Sequence, residues 1–318
     1  MKQDSYLDQI KRANFNLDAN QMGFLARQLE MVETQMLQIA YPALKATQLI
    51  PVQTFSGAQQ WAETATYRQW DQIGKARIIS DWADDFKQVG VNAIEVSGKF
   101  VEEGASYQYN YKEIQQAQLA GYNLSTELAA AGKHAIDQAI DDVAWFGAVT
   151  SGITGFLNNP DVPRSDVPND GDGASTLWTT KIGDQIWRDM TNAISDVNTI
   201  SNGVETADTL LLPLAQYNYI GNIIYNTYSS ESILTVFKRE NPGILVDSLL
   251  QLKGAGTAGV DVMVAYARNP QKVVYRLPIP FMQFPVQSNG TVFNVKMLCR
   301  MGDVVFRFPK SANIKEGI

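Results

Sequence analysis

Apolar positions along the 318-residue chain change period several times, and each change marks a new element. Between residues 18 and 40, Met22, Leu25, Leu29, Val32, Met36 and Ile39 recur at spacings of three and four. The seam predicts a helix that Asp18 or Asn20 can cap. It is too short for an independent coiled coil, so it suits either an arm docked on a neighbouring subunit or a helix packed on its own domain. Residues 61–79 and 91–110 then read as extended runs around "SDWADDFKQVG". The first run has no cleanly apolar face. The second alternates, with Ile94, Val96 and Phe100 on one side and Glu95, Ser97 and Lys99 on the other. Together they predict a long hairpin with little core of its own, which is marginal in water unless it lies on another molecule.

From 111 to 147 the period returns to that of a helix, through Ile114, Ala117, Gly121, Leu124, Leu128, Ala131, Ala135, Ile136, Ile140 and Val143. No proline interrupts this stretch, which predicts one rod of roughly 54 Å. Residues 155–176 are a Pro/Gly/Asp/Asn loop. A second amphipathic helix is expected near 180–200, with Ile182, Ile186, Met190, Ile194 and Val197 in line. "TLLLP" at 209–213 predicts a short buried strand, and helices follow near 214–226 and 231–240. "ILVDSLLQL" and "VDVMVAYA" read as strands joined by a glycine loop that turns a hairpin. "KVVYRLPIPF", "TVFNVKML" and "DVVFRFP" are closing strands. The mixture predicts an α+β fold, without internal repeats.

Composition narrows the chemistry. Hydrophobic residues make up 45% of the chain, enough to bury a real core, and the net charge of −7 does not attract nucleic acid overall. Lys253, Arg268, Lys272, Arg276, Lys296, Arg300, Arg307 and Lys310 gather late. They can line a face toward a polyanion or be ordinary solvated strand positions. The single cysteine, Cys299, rules out an intrachain disulfide and Cys-based zinc sites, and its apolar run predicts a buried thiol. No secretory leader and no membrane-length apolar run is visible, so a soluble protein made inside a cell, without membrane contact, is expected.

Four stretches invite a chemical reading. In "GKHAIDQAIDD", His134, Asp137 and Asp141 share one helix face, as metal ligands would, but the polar side of a structural helix has the same spacing. Asp161, Asp166, Asp170 and Asp172 suggest calcium, yet the EF-hand glutamate and flanking helices are missing. "GAGTAG" at 254–259 matches GxGxxG, but a strand follows where a dinucleotide site needs a helix. "AAGKH" is no phosphate loop, and His134 is the single possible base for nucleophilic catalysis. No catalytic residue, cofactor or metal is assigned on these grounds.

The order of parts resembles the major capsid proteins of tailed double-stranded-DNA phages, with the Hong Kong 97-like fold. "YNYKEIQQAQLAGYNLSTELAAAGKHAIDQAIDDVAWFG", "GITGFLNNPDV", "LKGAGTAGVDVMVAYARNP" and "FRFPKSANIKEGI" are similar to text of one branch of that family, in the right order, over about residues 45–318. The resemblance implies an N-terminal arm over 1–47 and an extended E-loop hairpin with the start of a peripheral P-domain over 48–110. It implies a P-domain spine helix over 111–147, an axial A-domain over 148–265 and return strands over 266–318.

On the resemblance, subunit contacts are expected at Trp61, Tyr67, Arg68, Trp70, Lys75, Arg77, Trp82, Asp84 and Asp85 of the hairpin. Leu25, Leu29 and Met36 of the arm, and Gly254, Gly256 and Gly259 near a symmetry axis, complete the set. The chain would be a non-enzymatic shell protein that partners itself as hexamers and pentamers. It would work with a separate scaffolding protein and a portal, and would touch packaged genomic DNA weakly and non-specifically. Assembly in the host cytoplasm is expected. Lys75, Lys87 and Lys99 are the hairpin lysines for a crosslink of the kind some members form, without an asparagine or glutamate assigned. The alternative is an encapsulin-type compartment shell around an enzyme.

Overall fold

The computed structural model describes residues 41–76, 78, 86–119, 123–226, 228 and 230–318. The chain divides into a unit of Met1–Ala43 and a unit of Leu44–Ile318. The helix expected over 18–40, with Leu25, Leu29 and Met36, lies outside the described residues. All the described helices and strands belong to the second unit.

A short helix α1 (Ala46–Leu49) and strand β1 (Val52–Gln53) lead into the hairpin, β2 (Thr64–Ile73) and β3 (Gly90–Asn110). The sequence expectation of a long hairpin holds: Thr64 pairs with Lys99 and Ile73 with Gly90, antiparallel throughout. At 21 residues, β3 outruns its partner. Its second half, Phe100–Asn110, pairs instead with β11 (Val292–Gly302). β10 (Gln287–Asn289) and β9 (Ile279–Gln283) flank β11, giving a sheet of order β10-β11-β3-β2.

The single rod expected over 111–147 is two helices, α2 (Tyr111–Leu119) and α3 (Leu124–Phe146). Asn123 leaves the helical region at φ −101°, ψ 93°. Asparagine favours a helix start over a helix interior because its amide competes for backbone partners, and here its Oδ1 accepts from the Ser125 hydroxyl at 2.8 Å. The hydrophobic period runs through the break and hides it. α3 alone is about 35 Å long.

The second half of the chain builds a five-stranded sheet of order β4-β13-β7-β5-β6. The strands are β4 (Arg164–Asp166), β5 (Thr209–Pro213), β6 (Leu245–Leu249), β7 (Val262–Tyr266) and β13 (Ala312–Glu316). β5 and β7 are buried on both faces, as their unbroken apolar runs predict. Leu211, Val264 and Tyr266 point into a core shared with α3, Trp145 and Phe156. Leu210, Leu212, Met263 and Ala265 point into a second core under α4 (Gly183–Ile200), α5 (Leu214–Asn222) and α6 (Ile233–Glu240). Ile186, Met190 and Val197 of α4 are buried as expected; Ile182 is exposed because it precedes the first turn.

The glycine loop does not turn a hairpin. β6 is parallel to β5, and β7 pairs antiparallel with β5 on its other side, so β5 separates the two strands the loop joins. The closing strands divide among three sheets, with β9, β10 and β11 in the sheet of the hairpin. β8 (Val273–Arg276) and β12 (Val304–Phe306) pair with each other, and β8 also pairs with β1, whereas β13 returns to sit between β4 and β7.

Candidate assembly interface

The hairpin emerges from a charged root. Arg276 and Arg300 are buried, and each donates to a backbone carbonyl of the chain entering β2: Arg276 Nη1 to Ala65 at 3.0 Å, Arg300 Nη1 to Gln60 at 2.6 Å. Arg276 also faces Asp303 at 3.3 Å and stands 5.6 Å from the Tyr67 ring. Arg300 faces Glu102 at 3.3 Å and lies 5.9 Å from the Trp61 ring and 5.8 Å from the Phe100 ring. Burial pushes the Asp303 carboxyl above its usual range, and Arg276 opposes the shift.

Gly98 is the contact on β3. A Cβ there would overlap both carboxylate oxygens of Asp303. These contacts overturn the reading of Arg276 and Arg300 as polyanion-facing or solvated residues: they are spent holding the hairpin. Lys272 is likewise paired, with Glu205.

Beyond the root, nothing in the described chain covers the ribbon. Alternation from the registered pairs places Ile73, Ile94 and Val96 on the face that carries Tyr67, and Trp70 and Val91 on the face that carries Arg68. Trp70 is 66% exposed, Ile94 59% and Val91 59%. Arg68 bonds Glu95 across the strands at 2.6 Å, an exposed pair of little energetic weight. Trp61 is half exposed at the root, and Lys75 is exposed just past β2. Arg77, Trp82, Asp84 and Asp85 lie outside the described residues.

The glycine loop is shaped from within. The Gly254 amide donates to Asp261 Oδ1 and the Thr257 amide to Glu316 Oε2, both at 2.8 Å, while the Gly256 amide donates to the Val260 carbonyl at 2.9 Å. Two side-chain carboxylates thus occupy amides that a dinucleotide phosphate would need. Burial acts to raise the Glu316 pKa, but Arg164 and the Thr257 amide outweigh it and hold the carboxyl below its usual range. Gly254 (φ 65°) and Gly259 (φ 77°) supply left-handed turns, Ala258 adopts one at φ 60° despite its methyl, and Gly256 packs too close to Val260 and Val262 for a side chain.

The acidic face of the spine is also committed to structure. Asp141, expected on the polar side, is buried: Oδ1 accepts from the Ala46 amide at 2.8 Å and Oδ2 from Gln251 Nε2 at 2.8 Å. Burial raises its pKa, and the Ala46 hydrogen bond moderates the shift. In the last two turns of α3, Ile140, Asp141, Val143, Ala144 and Trp145 are buried while Asp142 and Phe146 stay exposed, so Asp141 lies on the buried side of the helix. Asp170 of the loop pairs with Lys181 at 3.2 Å and with Arg188, whose hydrogen bond lowers the carboxyl's pKa. Cys299 is buried as predicted, and burial pushes its thiol up to about 11.

The geometry defines a subunit whose most exposed apolar element has no partner in its own described chain. Solved structures place that architecture among phage capsids. The chain is 20% identical to "The capsid of Myoviridae Phage XM1", with a TM-score of 0.79 over 92% of this chain and 98% of that one. A structure from Mycobacterium phage Ogopogo is 11% identical, TM-score 0.61, over 92% and 98%. "Capsid of empty GTA particle" is 9% identical, TM-score 0.60, over 94% and 99%. These likenesses establish an α+β capsid-subunit fold, consistent with the Hong Kong 97-like architecture.

The family model described as major capsid protein matches residues 74–318, and the chain belongs to that family. It is a structural protein of a phage capsid shell, and the compartment-shell alternative is not favoured. No curated protein matches the chain significantly. No described helix is long and apolar enough to cross a membrane, and no described group of three or more His, Cys, Asp or Glu is placed to hold a metal ion.

Proposed function

We propose that the chain self-assembles, as hexamers and pentamers, into an icosahedral shell around packaged double-stranded DNA. Residues 64–99 act as the E-loop that overlaps an adjacent subunit. α3 and the strands around β11 act as the peripheral domain, and the lobe under α4, α5 and α6 acts as the axial domain. The observation that carries the reading is the ribbon of ten residue pairs, with Trp70, Val91 and Ile94 in solvent. Such a ribbon is marginal alone and gains its stability by burial on a neighbour. Each contact is modest, and closed symmetry multiplies it.

Trp61, Tyr67, Arg68, Trp70 and Lys75 belong to this contact, with Arg77, Trp82, Asp84 and Asp85 of the intervening segment. Leu25, Leu29 and Met36 form an arm seam against a neighbour, and Gly254, Gly256 and Gly259 shape the axial contact. Arg276 and Arg300 are withdrawn as DNA contacts, which leaves the polyanion weakly held. A separate scaffolding protein and a portal complete assembly in the host cytoplasm, and the shell performs no catalysis. Negative-stain electron microscopy of the protein expressed alone and with its neighbouring genes tests this. Closed icosahedral particles with nuclease-protected DNA are expected; monomers or small rings, even beside a candidate scaffold, would overturn it.

A further inference from the structure

We propose that Asn289 is a site of spontaneous deamidation, and that the fold protects the chain's other Asn-Gly pair, Asn202-Gly203, from the same reaction. The inference does not depend on how subunits overlap. Three observations carry it.

The first is the chemistry of the pair. The Gly290 nitrogen, giving its proton to solvent base, attacks the side-chain carbonyl carbon of Asn289. The bond from that carbon to the amide nitrogen breaks, and ammonia leaves. Water then opens the succinimide ring at either carbonyl, which gives aspartate or isoaspartate. A following glycine favours ring closure because no Cβ obstructs the approach. By sequence Asn202 and Asn289 are therefore equivalent, and both pairs are exposed.

The second is the state of the attacking nitrogen. Asn202 (φ 56°) and Gly203 (φ 81°) follow α4, and the Gly203 amide donates to the Asn198 carbonyl at 2.8 Å. That hydrogen bond closes the helix, and it must break before the nitrogen can attack. Gly290 instead opens the two-residue turn between β10 and β11, at φ 66°. In such a turn the closing hydrogen bond joins the flanking residues. The Gly290 amide donates to none of the described residues, and a Cβ there would meet open space.

The third is the ease of opening. β10 is three residues long, lies at the edge of its sheet and is exposed throughout, so Asn289 can leave the ladder by breaking one end pair. The product would not be silent. Isoaspartate routes the main chain through Cβ and adds a backbone carbon beside the pairs Ser288–Phe293 and Gln287–Asn294. The adjoining Thr291 carbonyl accepts from the Tyr111 amide at 3.0 Å, so the change also reaches the start of α2.

Purified unassembled subunits, held in mildly alkaline buffer and sampled over days, test this by tryptic mass mapping. Asn289 falls in the peptide 277–296. Fragment ions locate the amide-to-acid mass gain, and an isoaspartyl-specific methyltransferase identifies the linkage. Asn289 is expected to convert at least tenfold faster than Asn202 in the folded subunit, and the two rates are expected to converge in guanidinium-unfolded chain. Conversion of Asn202 as fast as Asn289 in the folded subunit would overturn the inference. A preference for Asn289 that persists unchanged in guanidinium would also overturn it, because sequence and not fold would then set the rates. Conversion at Asn289 no faster than at Asn294 of the same peptide would remove the site altogether.

Discussion

The two halves of β3 share one strand, one backbone geometry and similar β-forming residues, yet they live differently. Phe100–Asn110 pairs with β11 and packs beneath α3, with Tyr107, Tyr109 and Phe293 in a stacked series. Gly90–Lys99 pairs only with β2 and keeps Val91 and Ile94 in water. The proximal half is covered within the subunit, and the distal half is left uncovered by the described chain. Residues that look equivalent along a strand therefore divide into those packed into the body of the subunit and those that, on the proposed overlap, join one subunit to the next.

Substitutions at the root should break this division most. Arg276→Ala leaves the half-buried Asp303 without its cation and should cost about 3 kcal/mol of subunit stability in denaturant titration. Gly98→Ala drives a methyl into the Asp303 carboxylate and should cost about 1–3 kcal/mol. Ala258→Gly relieves a left-handed alanine remote from both halves and should gain up to about 1 kcal/mol. Trp70→Ser should leave subunit stability within about 0.5 kcal/mol yet abolish or strongly reduce closed particles in electron micrographs. A stability loss at Trp70 comparable to that at Arg276 would erase the distinction.

Acid should act on the anchored carboxylates with opposite signs. The folded pKa of Asp170 is lowered, so its contribution is present above the unfolded value near 4 and is lost as pH falls through the folded pKa. The stability advantage of wild type over Asp170→Asn should therefore shrink in acid. The folded pKa of Asp141 is raised, so wild type gains relative to Asp141→Asn as pH falls from the raised value toward about 4. Urea titrations at pH 7 and pH 4 check the sign for Asp141, and titrations extended to about pH 2.5 check it for Asp170.

Period and length made the hairpin and the buried strands legible. Alternation in 91–100 and the unbroken apolar runs at 209–213 and 262–266 each have one economical structural solution. The contacts that shape the glycine loop were not legible, because Glu316 comes from a strand 59 residues away from Thr257. Nor was β13: "ANIKE" reads as a polar tail, yet Asn313, Lys315 and Glu316 are buried, with Lys315 paired to Asp196 of α4 at 2.5 Å. Asp141 misled for the same reason. A helical wheel places a charge by its sign, whereas the fold placed this one by the Ala46 amide and Gln251 that receive it.

The sharing of β3 between two partners has a mechanical consequence. A continuous strand fixed along Phe100–Asn110 and projecting over Gly90–Lys99 is a cantilever, with its clamp at Arg276, Arg300 and Gly98. The projecting arm is about 34 Å long, so a turn of about 5° at the clamp sweeps its far end through about 3 Å. The same gearing works backwards: a neighbour that displaces the end of the ribbon exerts torque on the β3–β11 ladder and, through Gly132 and Met297, on α3. A displacement at the far end of the ribbon thus reaches the body of the subunit along a single covalent beam.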